Sequence, residues 1–358
     1  MSRDDSMIPR GPGAALRYPF AEAPAAGQAV EVAPSVLWMR LALPVALAHV
    51  NVWAIEDGDG WAIVDTGLCL PDSVQAWEAL LAGPLGGRRV TRVFVTHLHA
   101  DHVGMAGWLT RRFDCPLWMT RVEYLTCRAN VADSGREAPA DGVRFYRRAG
   151  WDESAIEDYR SRFSRSSRMI HPLPDSFVRL EDGARLMIGA FEWRVMVGRG
   201  HTPEHACLHS EQSGILISGD QVLPRISSNV SVHPLEPNAD PLGEWLASIE
   251  TFRAALPDDT LVLPSHNEPF FGLHERLQRL ASGVERALER LRASLAEPKR
   301  AVDVFGVLFA RSIDMRDPMS RTLATGEALA YLNYLVKRGE ARVEIGPDGA
   351  CRYVASAA

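Results

Sequence analysis

The sequence predicts a layered α/β protein followed by a smaller helical segment. Apolar runs typical of strands alternate with segments of helical periodicity, as in 92–95, the segment from 103, and 116–119. Such alternation favours parallel strand pairing in a mixed sheet. Several strands end in histidine or aspartate, at the sheet edge where layered α/β proteins build their sites. From residue 272 the pattern changes to helices and a final hairpin.

The composition argues against a nucleic-acid-binding protein and against a membrane-spanning protein. With 358 residues the chain is long enough for one large domain and a smaller one, and its net charge of −6 gives no general attraction to nucleic acid. No apolar stretch approaches the length of a membrane span. The N-terminal stretch, 1–29, lacks a hydrophobic signal core and is predicted to be a flexible arm. Five cysteines without framework spacing indicate reduced thiols in a cytoplasmic protein. The expected partner is a small-molecule substrate.

The first half opens with a predicted hairpin. Its strands are expected over 30–43, 50–55 and 61–64, and the third ends in Asp65-Thr66-Gly67. A surface helix is predicted over 71–81. The later strands are predicted over 177–180, 185–188, 191–197, 207–210 and 214–217, and a helix over 242–256 leads to the strand 260–263.

Residues 96–102, Thr-His-Leu-His-Ala-Asp-His, contain side chains suited to metal binding. They place three imidazoles and one carboxylate within six residues, directly after the apolar strand 92–95. Neutral imidazole with carboxylate suits zinc, manganese or iron. In an extended loop His97 and His99 point the same way and can hold one ion, whereas Asp101 and His102 come later and can reach a second ion.

This His-x-His-x-Asp-His pattern resembles the metallo-β-lactamase superfamily. The resemblance implies three more ligands downstream, each just after an apolar strand, and the chain has His201, Asp220 and His266 at such places. It also implies a four-layer αββα sandwich over 30–271, with the metal site at one edge of the two sheets.

The resemblance further implies two metal sites. His97, His99 and His201 would hold the first ion, Asp101, His102 and His266 the second, and Asp220 would bridge both. Zinc is the expected metal, with manganese or iron as alternatives. Asp65 would orient a ligand histidine through its free ring nitrogen; the alternative is a turn aspartate that caps the next helix.

Other segments leave two interpretations open. The insertion 123–170 is locally basic and aromatic, and it is either a lid over the substrate or a helical pair with solvated charges. The polar loop 221–233 leaves directly from Asp220 and either contacts substrate or bonds its own backbone. Its candidate substrate contacts are Arg225, Asn229 and His233.

Two residues near His201 stand out. Glu204 occupies a position where many hydrolase members have a small residue. It is either a helix-start or turn carboxylate, or it crowds the pocket entrance. Cys207 is interpreted as a small buried strand residue.

The C-terminal segment, 272–358, resembles a winged-helix module that a subset of the superfamily carries. Helices are predicted over 273–295, 302–311 and 325–338, and a hairpin over 341–345 and 351–354. Its acids nearly balance its lysines and arginines, so packing or homodimerisation is favoured over DNA binding.

The resemblance implies a hydrolase. Two metals would activate a hydroxide that attacks a carbonyl or phosphorus, with Asp101 as proton shuttle and Asp220 as bridging ligand. An ester, thioester or lactone is the first hypothesis. The alternatives are a phosphodiesterase or nuclease and a mononuclear-iron persulfide dioxygenase. The intact ligand set argues against a non-catalytic binding module. The absence of a visible signal segment argues against a β-lactamase proper, since those enzymes are usually secreted.

Overall fold

The computed structural model describes residues 16–45, 47–310 and 312–356, so the expectation for 1–15 lies outside the described residues. Within these ranges seven strands form one sheet in sequence order. The first four pair antiparallel and the rest pair parallel. The strands are β1 (Ala29–Ala33), β2 (Val36–Ala42), β3 (His49–Asp57), β4 (Gly60–Val64), β5 (Val90–Phe94), β6 (Leu117–Met119) and β7 (Val178–Arg179).

A second sheet faces the first. Its order among the described strands is β12-β11-β10-β9-β8, in which β11 and β12 pair parallel and the other neighbours antiparallel. The strands are β8 (Arg185–Ile188), β9 (Phe191–Gly198), β10 (His205–Ser210), β11 (Ile215–Gly219) and β12 (Leu261–Pro264).

Helices cover the outer faces of both sheets. Those of the first half are α1 (Pro71–Ala82), α2 (Ala100–Val103), α3 (Ala106–Phe113), α4 (Arg121–Ala132), α5 (Ala140–Ala149) and α6 (Glu153–Arg162), with a 3-10 turn at Arg165–Met169. The later elements are α7 (Pro241–Ala255), α8 (Leu273–Ser294), a 3-10 turn at Ala301–Val304, α9 (Phe305–Leu308), α10 (Pro318–Lys337) and the hairpin β13 (Ala341–Ile345) and β14 (Cys351–Ala355).

Three apolar clusters separate four layers. One fills the space between the sheets and includes Trp38, Trp53 and Trp193. A second joins the outer face of the first sheet to α1 and α3. The third joins the outer face of the second sheet to α5–α8 and α10. Alternate strand residues enter different clusters, since successive side chains point to opposite faces. The predicted αββα sandwich is confirmed.

Four predicted features need correction. The strand expected over 30–43 is two strands, because Pro34 has no N–H to donate and Ser35 turns the chain with φ +65°. The helix expected over 302–311 is a 3-10 turn followed by the short α9, and Arg311 lies outside the described residues.

The third correction concerns α10, which begins seven residues before the predicted start. Asp317 caps it by accepting the Ser320 N–H at 3.0 Å, and Pro318 occupies the first turn.

The fourth correction concerns the N-terminal arm. From Leu16 onward it is not loose, because Arg17 and Phe271 exchange two backbone hydrogen bonds.

No described helix combines the length and apolarity that a bilayer crossing requires.

Asn51 on β3 joins the sheets next to the ligand-bearing strand ends. Its amide Nδ2 donates to the carbonyls of Pro264 at 2.7 Å and Asn267 at 2.8 Å, and its Oδ1 accepts from Trp38 Nε1 at 2.8 Å. The side chain is fully buried, so water cannot replace these bonds.

We predict that Asn51→Ala lowers the free energy of unfolding by about 2–5 kcal/mol, because it leaves buried partners unsatisfied at about 1–3 kcal/mol each. Urea-induced unfolding measures this loss, with the exposed helix position Gln278→Ala as control. A loss no larger than the control's would show that Asn51 does not join the sheets.

Candidate metal centre

The candidate ligands lie where strands end. Strands β4 and β5 run parallel, and β9, β11 and β12 share one direction, so their carboxyl ends meet at one edge of each sheet. His97 and His99 follow β5, and Asp101 and His102 lie on α2. The remaining three follow the second sheet's strands: His201 after β9, Asp220 after β11 and His266 after β12.

One cluster joins His97, His99, His201 and Asp220. Each offers one ligand atom, and these atoms all lie within 4.8 Å of one another. His97 Nε2 is 2.9 Å from His99 Nδ1 and 3.3 Å from His201 Nε2. A tetrahedral zinc ion with bonds of about 2.1 Å separates its ligand atoms by roughly 3.4 Å, so the observed spacing fits one ion.

A second cluster joins Asp101, His102 and His266. Asp101 Oδ2 is 3.6 Å from His102 Nε2 and 3.5 Å from His266 Nε2. Asp220 lies between the clusters, with Oδ2 3.5 Å from His201 Nε2 and Oδ1 3.5 Å from His266 Nε2. The structure therefore brings all seven predicted ligands together.

The opposite ring nitrogens show which atoms are available. The Nδ1 atoms of His201, His266 and His102 face the Asn229 carbonyl at 2.7 Å, the His49 carbonyl at 3.0 Å and Asp65 Oδ2 at 2.8 Å. Carbonyl and carboxylate oxygens only accept, so each Nδ1 carries a proton, and in the neutral ring Nε2 keeps a lone pair aimed into the site.

Two buried atoms there form no hydrogen bond. Among the described residues, His102 Nε2 and Asp220 Oδ1 have charged neighbours at 3.5–3.6 Å but no hydrogen-bond partner. Buried polar atoms are rarely left unsatisfied, and facing lone pairs repel one another. A divalent cation between these atoms satisfies both conditions, so the residues present suit divalent metals.

The pKa values of His97, His99 and Asp220 agree with ligation. Burial and the neighbouring imidazoles hold the pKa values of His97 and His99 well below their usual range, so both rings stay neutral. Burial alone would raise the pKa of Asp220, but His266 and His102 hold it well below its usual range. His102 is the exception: burial would lower its pKa, but Asp101, Asp220 and Asp65 raise it well above its usual range. Its ring would therefore have to lose a proton to bind a metal.

Asp65 contacts both the second cluster and the motif loop. Besides His102, its carboxylate accepts the Thr96 N–H at 2.8 Å and the Thr96 hydroxyl at 2.8 Å. That hydroxyl oxygen lies 2.9 Å from His97 Nδ1. Asp65 itself has φ +61°, a left-handed conformation that aspartate adopts more readily than most residues. Its contact with His102 is the one that the histidine-orienting interpretation requires.

Comparison with known proteins identifies the family. Residues 46–266 match the metallo-beta-lactamase superfamily. The chain belongs to this superfamily. Residues 288–356 match the metallo-beta-lactamase-like C-terminal domain. The prediction of a metallo-hydrolase of this superfamily is thereby confirmed at the level of the family.

Solved structures share the whole architecture. A beta-lactamase domain protein from Burkholderia ambifaria is 42% identical, with a TM-score of 0.88 over 95% of this chain and 98% of its own. A metallo-beta-lactamase family protein from Thermus thermophilus is 26% identical, with a TM-score of 0.75 over 91% of this chain and 100% of its own.

Two curated relatives share the lower of these identities. The probable metallo-hydrolase YqjP of Bacillus subtilis is 26% identical over 284 residues, 76% of this chain and 85% of the relative. The human acyl-coenzyme A thioesterase MBLAC2 is 26% identical over 253 residues, 69% of this chain and 82% of the relative.

Glu123, which no sequence pattern singled out, ties together two loops that carry candidate ligands of this metallo-beta-lactamase fold. Its Oε2 accepts the Leu98 N–H at 3.0 Å, and its Oε1 accepts the Glu204 N–H at 2.8 Å. Burial raises its pKa to about 7. Its partners are far away in sequence, so no local pattern could reveal this position.

Glu204 caps a helix. Its Oε2 accepts the Val122 N–H at 3.0 Å in the first turn of α4, and its carbonyl accepts the Thr120 hydroxyl at 2.8 Å. Of the two interpretations left open, the helix-start carboxylate describes these contacts.

His205 supports Asp220 from behind. Its Nε2 accepts the Asp220 N–H at 3.0 Å, and its ring stacks on His97 at a centroid distance of 4.7 Å. The ring fits only because residue 219 is glycine, since a Cβ there would come within 2.4 Å of His205 Cε1. The sequence carried a signal for it, a second histidine four residues after His201. Cys207 is buried beside it in β10, as expected.

The three candidate substrate contacts lie in different settings. Arg225 forms an ion pair with Glu268 at 3.0 Å and lies over the Tyr18 ring. The Asn229 amide contacts Glu327 rather than an open pocket. His233 is exposed in its loop and is near enough to His99 for its charge to lower the pKa of that residue.

The insertion 123–170 forms helices α4–α6. Tyr146, Trp151 and Ile156 join the core shared with α7, α8 and α10. The arginines are exposed, and several pair with acids of the same helices: Arg144 with Asp141, Arg147 with Glu153, and Arg160 with Glu153 and Glu157. These contacts match the solvated-charge interpretation.

We predict that Glu123→Gln lowers the free energy of unfolding by about 1–3 kcal/mol, because the amide NH₂ would face one of two N–H donors and leave it unsatisfied. Metal affinity should fall as well, since Leu98 lies between His97 and His99. Thermal unfolding and a metal titration measure the two effects.

The exposed Glu137→Gln is the matched control for Glu123→Gln.

We predict that Glu204→Gly lowers the free energy of unfolding by about 1 kcal/mol, because it removes the helix cap, and that the variant still binds metal. Wild-type stability in Glu123→Gln, or metal loss in Glu204→Gly, would contradict these assignments.

Proposed function

We propose that this protein is a dinuclear metal-dependent hydrolase of an ester, thioester or lactone, with a thioester as the first substrate to test. The observation that carries the proposal is the position of Asp220. Its two carboxylate oxygens face different clusters, Oδ2 toward His201 and Oδ1 toward His266. A carboxylate so placed can bridge two ions.

The ligand atoms are nitrogen and oxygen only. His97, His99 and His201 would hold one ion, Asp101, His102 and His266 the other, and Asp220 would contact both. Such a set, without thiolate, fits zinc first and manganese or iron second. When bound, the metals supply Lewis acidity, which polarises a carbonyl and lowers the pKa of water from about 15.7 to about 7.

Asp101 is suited to move the proton. Its side chain is 24% exposed, whereas those of His102 and His266 are 0% and 3% exposed. It is therefore the group of the second cluster that substrate and solvent reach. Its carboxylate can accept the proton of an attacking water and return it to the leaving group.

A thioester is favoured by the human relative that bears the name acyl-coenzyme A thioesterase and covers 69% of this chain. All five cysteines are free thiols, which agrees with a reducing, cytoplasmic location. We further propose that the C-terminal helices and hairpin form a winged-helix-like unit used for packing or homodimerisation.

The test combines metal analysis with activity. Protein purified without added metal should carry close to two zinc or manganese ions per chain and show no visible absorption. It should hydrolyse members of a panel of acyl-coenzyme A thioesters, lactones and phosphodiesters. Asp220→Ala should lose more than about 100-fold in rate and most of its metal, since even loss of an outer hydrogen-bond partner of a ligand costs about 10–100-fold.

The exposed Asp175→Ala is the matched control and should behave as wild type. One iron per chain with a visible chromophore would replace the hydrolase by a persulfide dioxygenase. Hydrolysis of phosphodiesters alone would replace the acyl substrate. Failure to take up any metal would end the proposal.

A further inference from the structure

We infer that helix α10 of the C-terminal domain is part of the metal centre: Glu327 and Gly326 are positioning residues that fix His201 through the loop 228–232. The inference rests on the proposed function, because it takes His201 as a metal ligand. It gives the C-terminal domain a role inside the hydrolase that neither family match assigns.

The first step is a chain of hydrogen bonds. His201 Nδ1 donates to the Asn229 carbonyl at 2.7 Å. The Asn229 side chain is held at both ends, because its Nδ2 donates to Glu327 Oε2 at 3.0 Å and its Oδ1 accepts from the Ser231 hydroxyl at 2.5 Å. The carbonyl that orients a candidate ligand is therefore anchored to α10, 98 residues further along the chain.

The same loop also touches the bridging carboxylate residue. The Ser228 hydroxyl donates to the Asp220 carbonyl. Ser228 and Ser231 are buried, so the loop between them is enclosed by protein at both ends. A shift of this loop would move the supports of His201 and Asp220 together.

The second step is a close approach that requires glycine. The Val232 N–H donates to the Gly326 carbonyl at 3.0 Å. A Cβ at position 326 would lie 2.7 Å from both Cβ and Oγ of Ser231. Glycine inside a helix costs about 1 kcal/mol relative to alanine. Its presence in the middle of α10 is explained by the space that the loop needs.

The third step is that this turn of α10 is held in place. The Thr325 hydroxyl accepts from Trp151 Nε1 of the insertion at 2.9 Å. Arg321 forms an ion pair with Asp158 at 3.2 Å and lies over the Trp151 ring. Consecutive residues of α10 thus contact the insertion and the loop, and the helix is a firm base for both.

The experiment compares four variants of the full chain. The dissociation constants of zinc are measured by competition with a chromophoric chelator, and the cobalt-substituted protein reports ligand geometry by its visible spectrum. The variants are Glu327→Ala, Glu327→Gln, Gly326→Ala and the control Gly283→Ala.

Glu327→Ala should weaken binding of one zinc about tenfold, the lower end of the 10–100-fold range for outer partners of metal ligands, and shift the cobalt spectrum. Glu327→Gln should restore both, because its amide oxygen still accepts from Asn229 Nδ2. Gly326→Ala should weaken binding at least as much, since its Cβ displaces the loop.

Gly283→Ala in α8 should leave zinc binding unchanged, because no atom lies within 4 Å of its Cβ. It controls for the change in helix propensity.

The possible outcomes distinguish a failure of the proposed function from a failure of the inference about α10. Wild-type protein that binds no metal would remove the proposed function and this inference with it. Wild-type protein that binds zinc, with Glu327→Ala and Gly326→Ala binding equally well, would overturn the inference alone. A loss of thermal stability without a change in zinc affinity or cobalt spectrum would also overturn the inference. The same holds if Glu327→Gln binds zinc as weakly as Glu327→Ala.

Discussion

Imidazole nitrogens that face one another across 2.9 and 3.3 Å set the central constraint of this molecule. A cation among these nitrogens would satisfy the lone pairs that the rings direct toward one another, provided that the ring orientations are fixed. Fixing them requires an acceptor on the far side of the rings. Much of the fold around the site supplies such acceptors.

The acceptors come from separate layers. The His49 carbonyl belongs to the first sheet and orients His266, which follows a strand of the second. Asp65 holds His102 within the first half of the chain. Because each candidate cluster combines residues from both halves of the chain, the two sheets must keep their relative position. Asn51 provides two hydrogen bonds between the sheets for this purpose, and Trp38 of its own sheet holds its side chain in place.

The support extends beyond the sheets. Glu123 on α4 holds the loops of His99 and His201 together, and Glu327 on α10 reaches His201 through Asn229. The insertion and the C-terminal domain thus support loops of the site from outside the sandwich. Their outward surfaces carry the paired arginines, whereas their inward surfaces join the large core cluster. This division explains a basic insertion without requiring an anionic substrate.

The sequence by itself determined the family, the αββα layers and the seven candidate ligands, because each ligand lies in or follows a short apolar strand and strand ends collect at one sheet edge. The sequence-based prediction misses the turn at Pro34, although the proline is a signal for it. It also begins α10 too late, although Asp317-Pro318 is a helix-start signal. Only the tertiary structure decided the roles of Glu123, His205, Asn229 and Glu327. Most of their partners lie tens of residues away, up to 98 for Glu327. Hydrogen bonds at that separation leave no periodicity or spacing in the sequence, since the packing of whole layers brings them together.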